Sequence, residues 1–398
     1  MTFERNKYTF DEVCRKIYSG GTPSTKHAEY WNGTINWLSS GETGNRFIYN
    51  TERKITELGV KKSSTKKAYK GNTVVASAGQ GYTRGQASYL AIDTYVNQSV
   101  IVFDANTDII DSKYLFYNLS SRYEELRQLS DGTSTRGGLS GWIVKRMEIY
   151  LPPLTIQKQI SAILSVIDDK IELNNRINKN LEEQAQAIFT DLFITNANSE
   201  WKIGTISDLG NVVGGGTPSK KVEEYYTDSG IAWITPKDLS NNKSKFIIHG
   251  ETDITDLGLA KSSATLMPKG TVLFSSRAPI GYIAIADGDV STNQGFKSIV
   301  PFENIGTAYI YYFLKENLSA IENVASGSTF KEVSGSTMKN FSAVIPDSDT
   351  LSVFRQFCET LFEQQRALEY ENRHLATLRD VLLPKLMNGE IDVSAIKI

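Results

Sequence analysis

Two long segments of the chain repeat their apolar residues at alternating spacings of four and three. The first begins after Leu151-Pro152-Pro153 and the second after Ile345-Pro346. A repeat of this kind lines one face of a helix and is typical of long helices that pack on one another. The repeat positions are Ile160, Leu164, Ile167, Ile171, Asn174, Asn178, Leu181, Ala185, Ile188 and Leu192 in the first segment, and Phe357, Leu361, Gln364, Leu368, Glu371, Leu375, Leu378 and Leu382 in the second.

The two segments predict an antiparallel pair of coiled-coil helices. Both share one register at an offset of 197 residues. The polar members Asn174, Asn178, Gln364 and Glu371 would weaken the packing and fix its register. The alternative is that each helix only covers its own domain. About 35 residues at a rise of about 1.5 Å make a rod of roughly 50 Å, longer than a small domain needs, which favours pairing.

The rest of the chain alternates short β-rich runs with loops rich in Gly, Ser and Thr. The pattern predicts strands at 72–76, 99–103, 271–274 and 283–286. It also predicts one helix at 113–129 and one at 308–324. The mixture indicates α/β globular parts that precede each long helix.

The chain contains the same unit twice. Gly20-Gly21-Thr22-Pro23-Ser24 recurs as Gly215-Gly216-Thr217-Pro218-Ser219, and the segment 55–64 recurs as 254–263. A period near 200 residues indicates duplication of a domain. We therefore expect an α+β protein with two globular α/β domains, separated by the helix pair. The predicted limits are 1–150 and 197–346 for the domains and 151–196 and 347–398 for the helices.

Composition and charge narrow the class of protein. Of the 398 residues, 40% are hydrophobic and 22% are charged, which is typical of a folded globular chain. The net charge is −2, but residues 1–150 hold 20 basic and 15 acidic residues, a net +5. Residues 151–200 and 347–398 each carry −3, and residues 201–346 carry −1. The absence of a long apolar run or signal peptide and the presence of only two cysteines predict a cytoplasmic protein.

Catalytic and metal-binding motifs are not found in the sequence. Three histidines lie on unrelated segments, and no Cys/His spacing suits a metal. The chain has no phosphate-binding loop, and Gly79-Gln80-Gly81 does not complete a dinucleotide-binding pattern. Leu151-Pro152-Pro153-Leu154 lacks the neighbours of an aminomethyltransferase motif. These observations argue against an enzyme and against a bound metal or cofactor.

Basic residues cluster in the first half of the chain. Six lysines crowd the segment 54–70, which contains one acid, Glu57. Lysines spaced in this way beside hydroxyl groups suit contact with phosphate, although a solvated loop would have the same composition. The candidate phosphate contacts are Lys61, Lys62, Lys66 and Lys67, with Lys261 at the matching place in the second half.

Two recurrent polar loops are candidates for reading bases. Arginine recognises guanine and glutamine recognises adenine by paired hydrogen bonds in the major groove. The shared loop frame with differing side chains suits two modules that read different targets, and a solvated turn is the alternative. The candidates are Ser77, Gln80, Tyr82 and Arg84 in the first copy, Ser276, Arg277 and Tyr282 in the second, and Arg136 and Lys331 in a later loop of each copy.

Taken in order along the chain, these motifs resemble the specificity subunit of a type I restriction–modification system. The resemblance rests on the repeated Gly-Gly-Thr-Pro-Ser, on Lys269-Gly270-Thr271-Val272-Leu273-Phe274-Ser275-Ser276, and on the Leu-Pro-Pro-Leu entry to the first helix. It also includes the closing Leu382-Leu383-Pro384-Lys385-Leu386. It covers essentially the whole chain. The nearly neutral second half departs from the basic character expected of a DNA reader.

The resemblance implies two target recognition domains, each of which reads one half of a bipartite, asymmetric site in double-stranded DNA. It implies that the paired helices set the spacer and dock two methyltransferase subunits, to which restriction and translocation subunits are added. S-adenosylmethionine, ATP and Mg²⁺ are then expected on the partner subunits, with none bound by this chain. Two other classes stay open: an adaptor whose two modules bind protein or carbohydrate, and a stand-alone methyltransferase or nuclease.

Overall fold

The computed structural model describes residues 4–79, 83–131, 138–327 and 331–394. The chain divides into two compact units. The first comprises Met1–Lys170 and Leu375–Ile398, and the second comprises Ile171–His374. Each unit therefore includes part of both long helices. The predicted domain limits were drawn from repeated motifs, whereas the compact units are defined by which residues pack together. The predicted limits therefore stay predictions.

The first half of the chain is a mixed α/β structure. Its strands are β1 (Asn6–Thr9), β2 (Cys14–Ser19), β3 (Trp31–Leu38), β4 (Phe47–Ile48), β5 (Arg53–Ile55), β6 (Lys66–Ala68), β7 (Thr73–Ala76), β8 (Ala87–Leu90), β9 (Thr94–Val96), β10 (Val100–Ala105) and β11 (Glu148–Leu151). Its helices are α1 (Phe10–Val13), α2 (Glu57–Lys61), α3 (Ser112–Ser121), α4 (Tyr123–Asp131), α5 (Gly141–Arg146) and the long α6 (Leu154–Thr190).

The second half repeats this arrangement. Its strands are β12 (Lys202–Thr205), β13 (Gly210–Gly214), β14 (Tyr226–Thr227), β15 (Ile231–Ile234), β16 (Phe246–Ile247), β17 (Thr252–Ile254), β18 (Val272–Ser276), β19 (Ile280–Ala286), β20 (Val290–Thr292), β21 (Lys297–Pro301) and β22 (Ser342–Ile345). Its helices are α7 (Pro236–Asn241), α8 (Asp256–Ala260), α9 (Thr307–Glu316), α10 (Leu318–Asn323), α11 (Gly335–Lys339) and the long α12 (Ser348–Asn388).

The two units have matching sheets. The five-stranded sheet has the order β2-β10-β7-β8-β4 in the first unit and β13-β21-β18-β19-β16 in the second. A second sheet has the order β5-β3-β9-β6, and its counterpart β14-β17-β15-β20 keeps the same antiparallel and parallel neighbours around its central strand. The predicted duplication is therefore confirmed as a repeated fold.

The repeated glycine pair has a packing role. A side chain on Gly20 would come within 2.0 Å of the Val96 carbonyl oxygen, and one on Gly216 within 2.4 Å of the Ala264 nitrogen. At both sites the chain passes too close to neighbouring backbone for any residue larger than glycine. The adjacent Thr22 hydroxyl donates to Gln98 Oε1 over 2.6 Å, and Thr217 bonds Gln294 in the same way. The motif that reveals the duplication is thus explained by packing.

The five-stranded sheet of the first unit separates two apolar clusters. Ile101 and Phe103 of β10 pack with α3 and with the long helices on one face, while Val100 and Val102 pack against the other sheet. This alternation follows from the two-residue period of a strand. Each predicted shorter helix is divided in two, the first at Arg122 and the second at Asn317.

The two long helices pack antiparallel. In the second unit, Asn174 of α6 donates to Glu371 of α12 over 2.8 Å, and Gln365 donates to the Asn178 carbonyl oxygen over 3.1 Å. From one contact to the next, the residue number rises along α6 and falls along α12, so the helices are antiparallel, as the sequence predicts. In the first unit, Asp168 of α6 accepts from Arg379 of α12 over 3.0 Å.

The predicted register holds in α6 as far as Ala185, and near both ends of α12 it is wrong by one residue. In α6, Ile160, Leu164 and Leu181 are buried. In α12, Phe357 is 55% exposed and Leu378 is 48% exposed. The buried positions lie one residue later, at Cys358, Phe362, Gln365, Leu383 and Leu386. Apolar residues stand side by side at Leu361-Phe362 and Leu382-Leu383, so two registers fit the pattern, and packing against the sheet selects the later one.

Within the described residues, no helix has the length and apolar character needed to cross a membrane.

Candidate nucleic-acid interface

The described parts of the two recurrent loops lie together in each unit. The first loop joins β7 to β8 in one copy and β18 to β19 in the other. The Leu139 amide of the later loop donates to the Ser77 carbonyl oxygen over 2.7 Å. In the second unit the Val333 amide donates to the Ser276 carbonyl oxygen over 3.0 Å. The duplicated fold therefore builds the same two-loop surface twice.

The two loop serines support this surface from inside. Ser77 is buried, and its amide donates to the Ser99 carbonyl oxygen over 2.8 Å. Ser276 is also buried, and its hydroxyl donates to the Gly295 carbonyl oxygen over 3.1 Å. This placement corrects their expected role as base contacts, because a buried side chain is not presented to a partner.

Arg84 is likewise occupied within the protein. It is 7% exposed, and its guanidinium forms an ion pair with Asp131 at the end of α4. The expectation that Arg84 reads guanine is corrected on this ground, because its charge is buried and neutralised by a carboxylate. Gln80, Tyr82 and Arg136 lie outside the described residues, so their predicted roles stay predictions.

The corresponding loop residues of the second unit are more accessible. Arg277 retains 37% of its side-chain exposure and lies 3.5 Å from Glu332, which also lies 3.4 Å from the Lys297 ammonium. Lys331 is exposed beside them. The Tyr282 hydroxyl is 3.4 Å from the Ser240 hydroxyl. The one carboxylate is thus shared by two cations, which leaves positive charge at this loop.

The lysine cluster of the first half is exposed. Lys61 ends α2 and Lys62 follows it, and Lys66 and Lys67 lie on β6. Lys67 forms an ion pair with Asp93 at 2.9 Å. That pairing raises the pKa of Lys67 through a hydrogen bond with Asp93, so the side chain stays charged. Lys261, the matching residue of the second copy, is also exposed and follows α8.

A tryptophan–arginine pair beside the first loop surface is missed by the sequence analysis. Trp142 opens α5, two residues after the N-cap Ser140, and is 62% exposed. The Arg146 guanidinium lies 4.2 Å from the centre of its ring. An exposed indole with a cation on its face can stack on a base or sugar. The signal was available as Trp142-Ile143-Val144, three apolar residues of which a short helix can bury only part.

A buried polar cluster ties the helices to the sheets of each unit. In the first unit, Asp168 accepts hydrogen bonds from Arg46, Tyr117 and Arg379. Burial lowers the pKa of Arg46, opposed by the charge of Asp168. Burial also raises the pKa of the Tyr117 hydroxyl, which therefore stays protonated and donates.

The second unit has a cluster of the same kind with different residues. Lys245 lies within 3.0 Å of Glu182, Tyr312 and Gln365, and Lys315 also bonds Glu182. Burial opposes ionisation of Glu182, but the two lysines outweigh it and lower its pKa to about 2. Burial lowers the pKa of Lys245 to about 8 against the attraction of Glu182. Such clusters fix the orientation of a helix and are not arranged around an open cleft.

The fold and the paired loops define a duplicated, two-module binding protein. Among residues 4–79, 83–131, 138–327 and 331–394, no group of acidic, His and Cys side chains is placed to hold a metal ion. A family model described as the type I restriction modification DNA specificity domain matches residues 4–183 and 198–369. The chain belongs to this family, whose general role is recognition of a DNA target, and the two matches correspond to the two copies of the fold.

Individual relatives agree with this assignment. The chain is 38% identical over 190 residues to the specificity subunit of type I restriction enzyme MjaIX of Methanocaldococcus jannaschii; that match covers 46% of this chain and 44% of the relative, under half of its length. It is 24% identical to the HindI specificity subunit of Haemophilus influenzae over 89% of this chain and 94% of that one. The crystal structure of a type I S subunit from M. genitalium has the same fold, with a TM-score of 0.56, 15% identity and 96% coverage of each chain.

Proposed function

We propose that this chain is the non-catalytic, DNA-reading subunit of a type I restriction–modification complex, and that each unit reads one half of a bipartite, asymmetric target. The observation that carries the proposal is the two-loop surface. Both units form it from corresponding strands, but the side chains on it differ between the units. The first has Trp142 and Arg146, and the second has Arg277 and Lys331. One scaffold with two sets of contact residues is what recognition of two unlike half-sites requires.

The long helices would set the spacer and dock two methyltransferase subunits, which in turn recruit the restriction subunits. Support for docking comes from apolar side chains that the helices leave exposed. They are Val166, Leu378 and Val381 in the first unit, and Leu173, Ile177, Val353 and Phe357 in the second. Exposed apolar residues in such number are typical of surfaces that pack against a partner. Support for a spacer role is the continuity of α6 over 37 residues, roughly 55 Å.

S-adenosylmethionine, ATP and Mg²⁺ would then be held by the partner subunits. The basis for this proposal is the sequence, which has no phosphate-binding loop, no complete dinucleotide pattern and no methyltransferase motif. The chain would contribute selectivity, and the partners would contribute the chemistry.

Sequencing of methylated bases in a host strain with and without this chain tests the proposal. Deletion should abolish methylation at one split motif, while all other methylated motifs persist. Restoration of the chain should restore that motif. If no motif disappears although the methyltransferase partner is expressed, or if the purified chain alone transfers methyl groups to DNA, the proposed function is wrong.

A further inference from the structure

The first unit has an open, basic groove between the free edges of its two larger sheets. Strand β2 is an edge of the five-stranded sheet, and β6 is an edge of the four-stranded sheet. The space between them has a volume of about 770 Å³. Its basic residues are Arg15 and Lys16 from β2, Lys66 and Lys67 from β6, and Lys145 from α5.

Positive charge exceeds negative charge in this groove. Two carboxylates of the lining, Asp11 and Asp104, face the five cations, and Asp11 pairs with Lys145 at 3.0 Å. Asp93, outside the lining, pairs with Lys67 at 2.9 Å. Lys16 and Lys66 form no ion pair within the part of the chain that the structure describes. Lys66 lies 5.9 Å from the centre of the Tyr18 ring. Exposed cations beside a half-buried tyrosine match the charge of a sugar–phosphate backbone.

The second unit has neutral residues at the positions that match four of these cations. The register of β2 places Lys16 opposite Asp104, and the matching register of β13 places Asn211 opposite Val300. Along the same alignment Arg15 corresponds to Gly210, Lys66 to Thr265 and Lys67 to Leu266. The five-stranded sheet of the second unit keeps its strand order with Gly210 and Asn211 in the edge strand β13, so Arg15 and Lys16 are not needed to form that sheet. The stretch that matches β6 forms only the isolated bridge between Met267 and Val290.

The groove is close to the two-loop surface of its own unit. Helix α5 begins next to Leu139, which is bonded to Ser77 of the first loop, and it carries Trp142. Lys145, four residues after the first residue of this helix, lines the groove. Four residues of helix span about 6 Å, so one short helix connects the loops to the groove.

We propose that this groove binds the sugar–phosphate backbone of duplex DNA, and that the first unit thereby supplies most of the sequence-independent, salt-dependent affinity of the chain. The proposal rests on the proposed function and adds a division of labour: both units read bases, and the first also anchors the backbone. The near-neutral second domain then needs no basic surface of its own.

The test is the salt dependence of binding to a duplex of about 30 base pairs of arbitrary sequence, which requires no knowledge of the target. The variant Lys16→Asn with Lys66→Thr places the second unit's residues in the groove of the full chain. Loss of two phosphate contacts should reduce the slope of log K against log salt by about 2 and weaken binding roughly tenfold or more at about 100 mM salt. The matched control is Lys179→Gln with Lys202→Gln, two exposed lysines outside the groove.

The outcomes separate the groove from the proposed function. If the groove variant and the control have the same slope as the wild type, the groove proposal is overturned while DNA recognition stands. If the wild type shows no salt-dependent binding to any duplex, the proposed function fails as well. If the groove variant binds DNA normally but no longer assembles with a partner protein, the groove is a protein-docking surface and the proposal is wrong. The variant Lys16→Arg with Lys66→Arg keeps both positive charges. Wild-type affinity and salt slope in this variant would show that charge, rather than the shape of the lysine side chain, causes the binding.

Discussion

At the scale of single residues, burial separates the side chains that hold the loops from those that can contact DNA. Arg84 has the residue type expected of a guanine reader, yet its pairing with Asp131 across 47 residues of sequence removes it from solvent. No local pattern reveals such a partner. Trp142 is the opposite case. An apolar residue of its type is expected in the core, but its position at the start of a short helix leaves it exposed.

We expect Trp142→Ala to weaken binding of the target duplex without unfolding the protein. Stacking of an aromatic ring on a base contributes about 1–3 kcal/mol, which corresponds to a loss of roughly 5- to 150-fold in affinity. The folding cost should be small because the side chain is 62% exposed. The measurement is the Kd of the complete methyltransferase complex for its target, with thermal unfolding to confirm the fold.

Two further variants make this result specific. Trp142→Phe keeps an aromatic face and should retain most of the affinity. Ile203→Ala removes an apolar residue that is 73% exposed on β12 and should have no effect on DNA binding. Equal affinity of Trp142→Ala and the wild type would exclude the indole from the interface.

At the scale of elements, sequence predicts the existence of the long helices better than their register. The alternation of four and three residues identifies α6 and its buried face as far as Ala185, after which the buried residues lie one position later, at Phe189 and Phe193. In α12 adjacent apolar residues make two neighbouring registers equally good, and the polar Gln365 occupies a buried position that no hydrophobic pattern would select. Gln365 is satisfied there by Lys245 and the Asn178 carbonyl oxygen, partners that only the folded unit supplies.

The corrected register predicts unequal effects of two similar substitutions in α12. Leu383 is 6% exposed and belongs to the core of the first unit, whereas Leu378 is 48% exposed. We expect Leu383→Ala to lower the free energy of unfolding of that unit by about 2–5 kcal/mol, because it leaves a cavity. Leu378→Ala should change it by less than about 1 kcal/mol. Urea denaturation followed by circular dichroism measures both; a larger loss at Leu378 would restore the register expected from the sequence.

At the scale of the whole molecule, the duplication explains features that composition alone obscures. A net charge of −2 argues against a DNA-binding chain until the charge is divided among segments, where residues 1–150 carry +5. Repeated motifs reveal the two copies, and the structure shows that the most visible of these motifs is kept for close packing around Gly20 and Gly216. The limits of the compact units could not be predicted, because they depend on which parts of α6 and α12 pack on which sheet.

Because each unit has its own sheets, core and loop surface, each should carry its own half of the specificity. We therefore expect that exchange of residues 1–150 for the same region of a specificity subunit with a different known target changes one half of the methylated motif and leaves the other half and the spacer unchanged. Sequencing of methylated bases in cells that express the chimera measures all three.

The reciprocal chimera, with residues 197–346 exchanged, provides the control and should change the opposite half only. Both chimeras keep α6 and α12, so a spacer that changed with either exchange would mean that the helices do not set it. A change of both half-sites in one chimera would mean that the units do not read independently, because the exchanged unit would then influence the half-site assigned to the other unit. Independent reading follows from two complete copies of the fold, and it fails only if bases are read by residues of both units together.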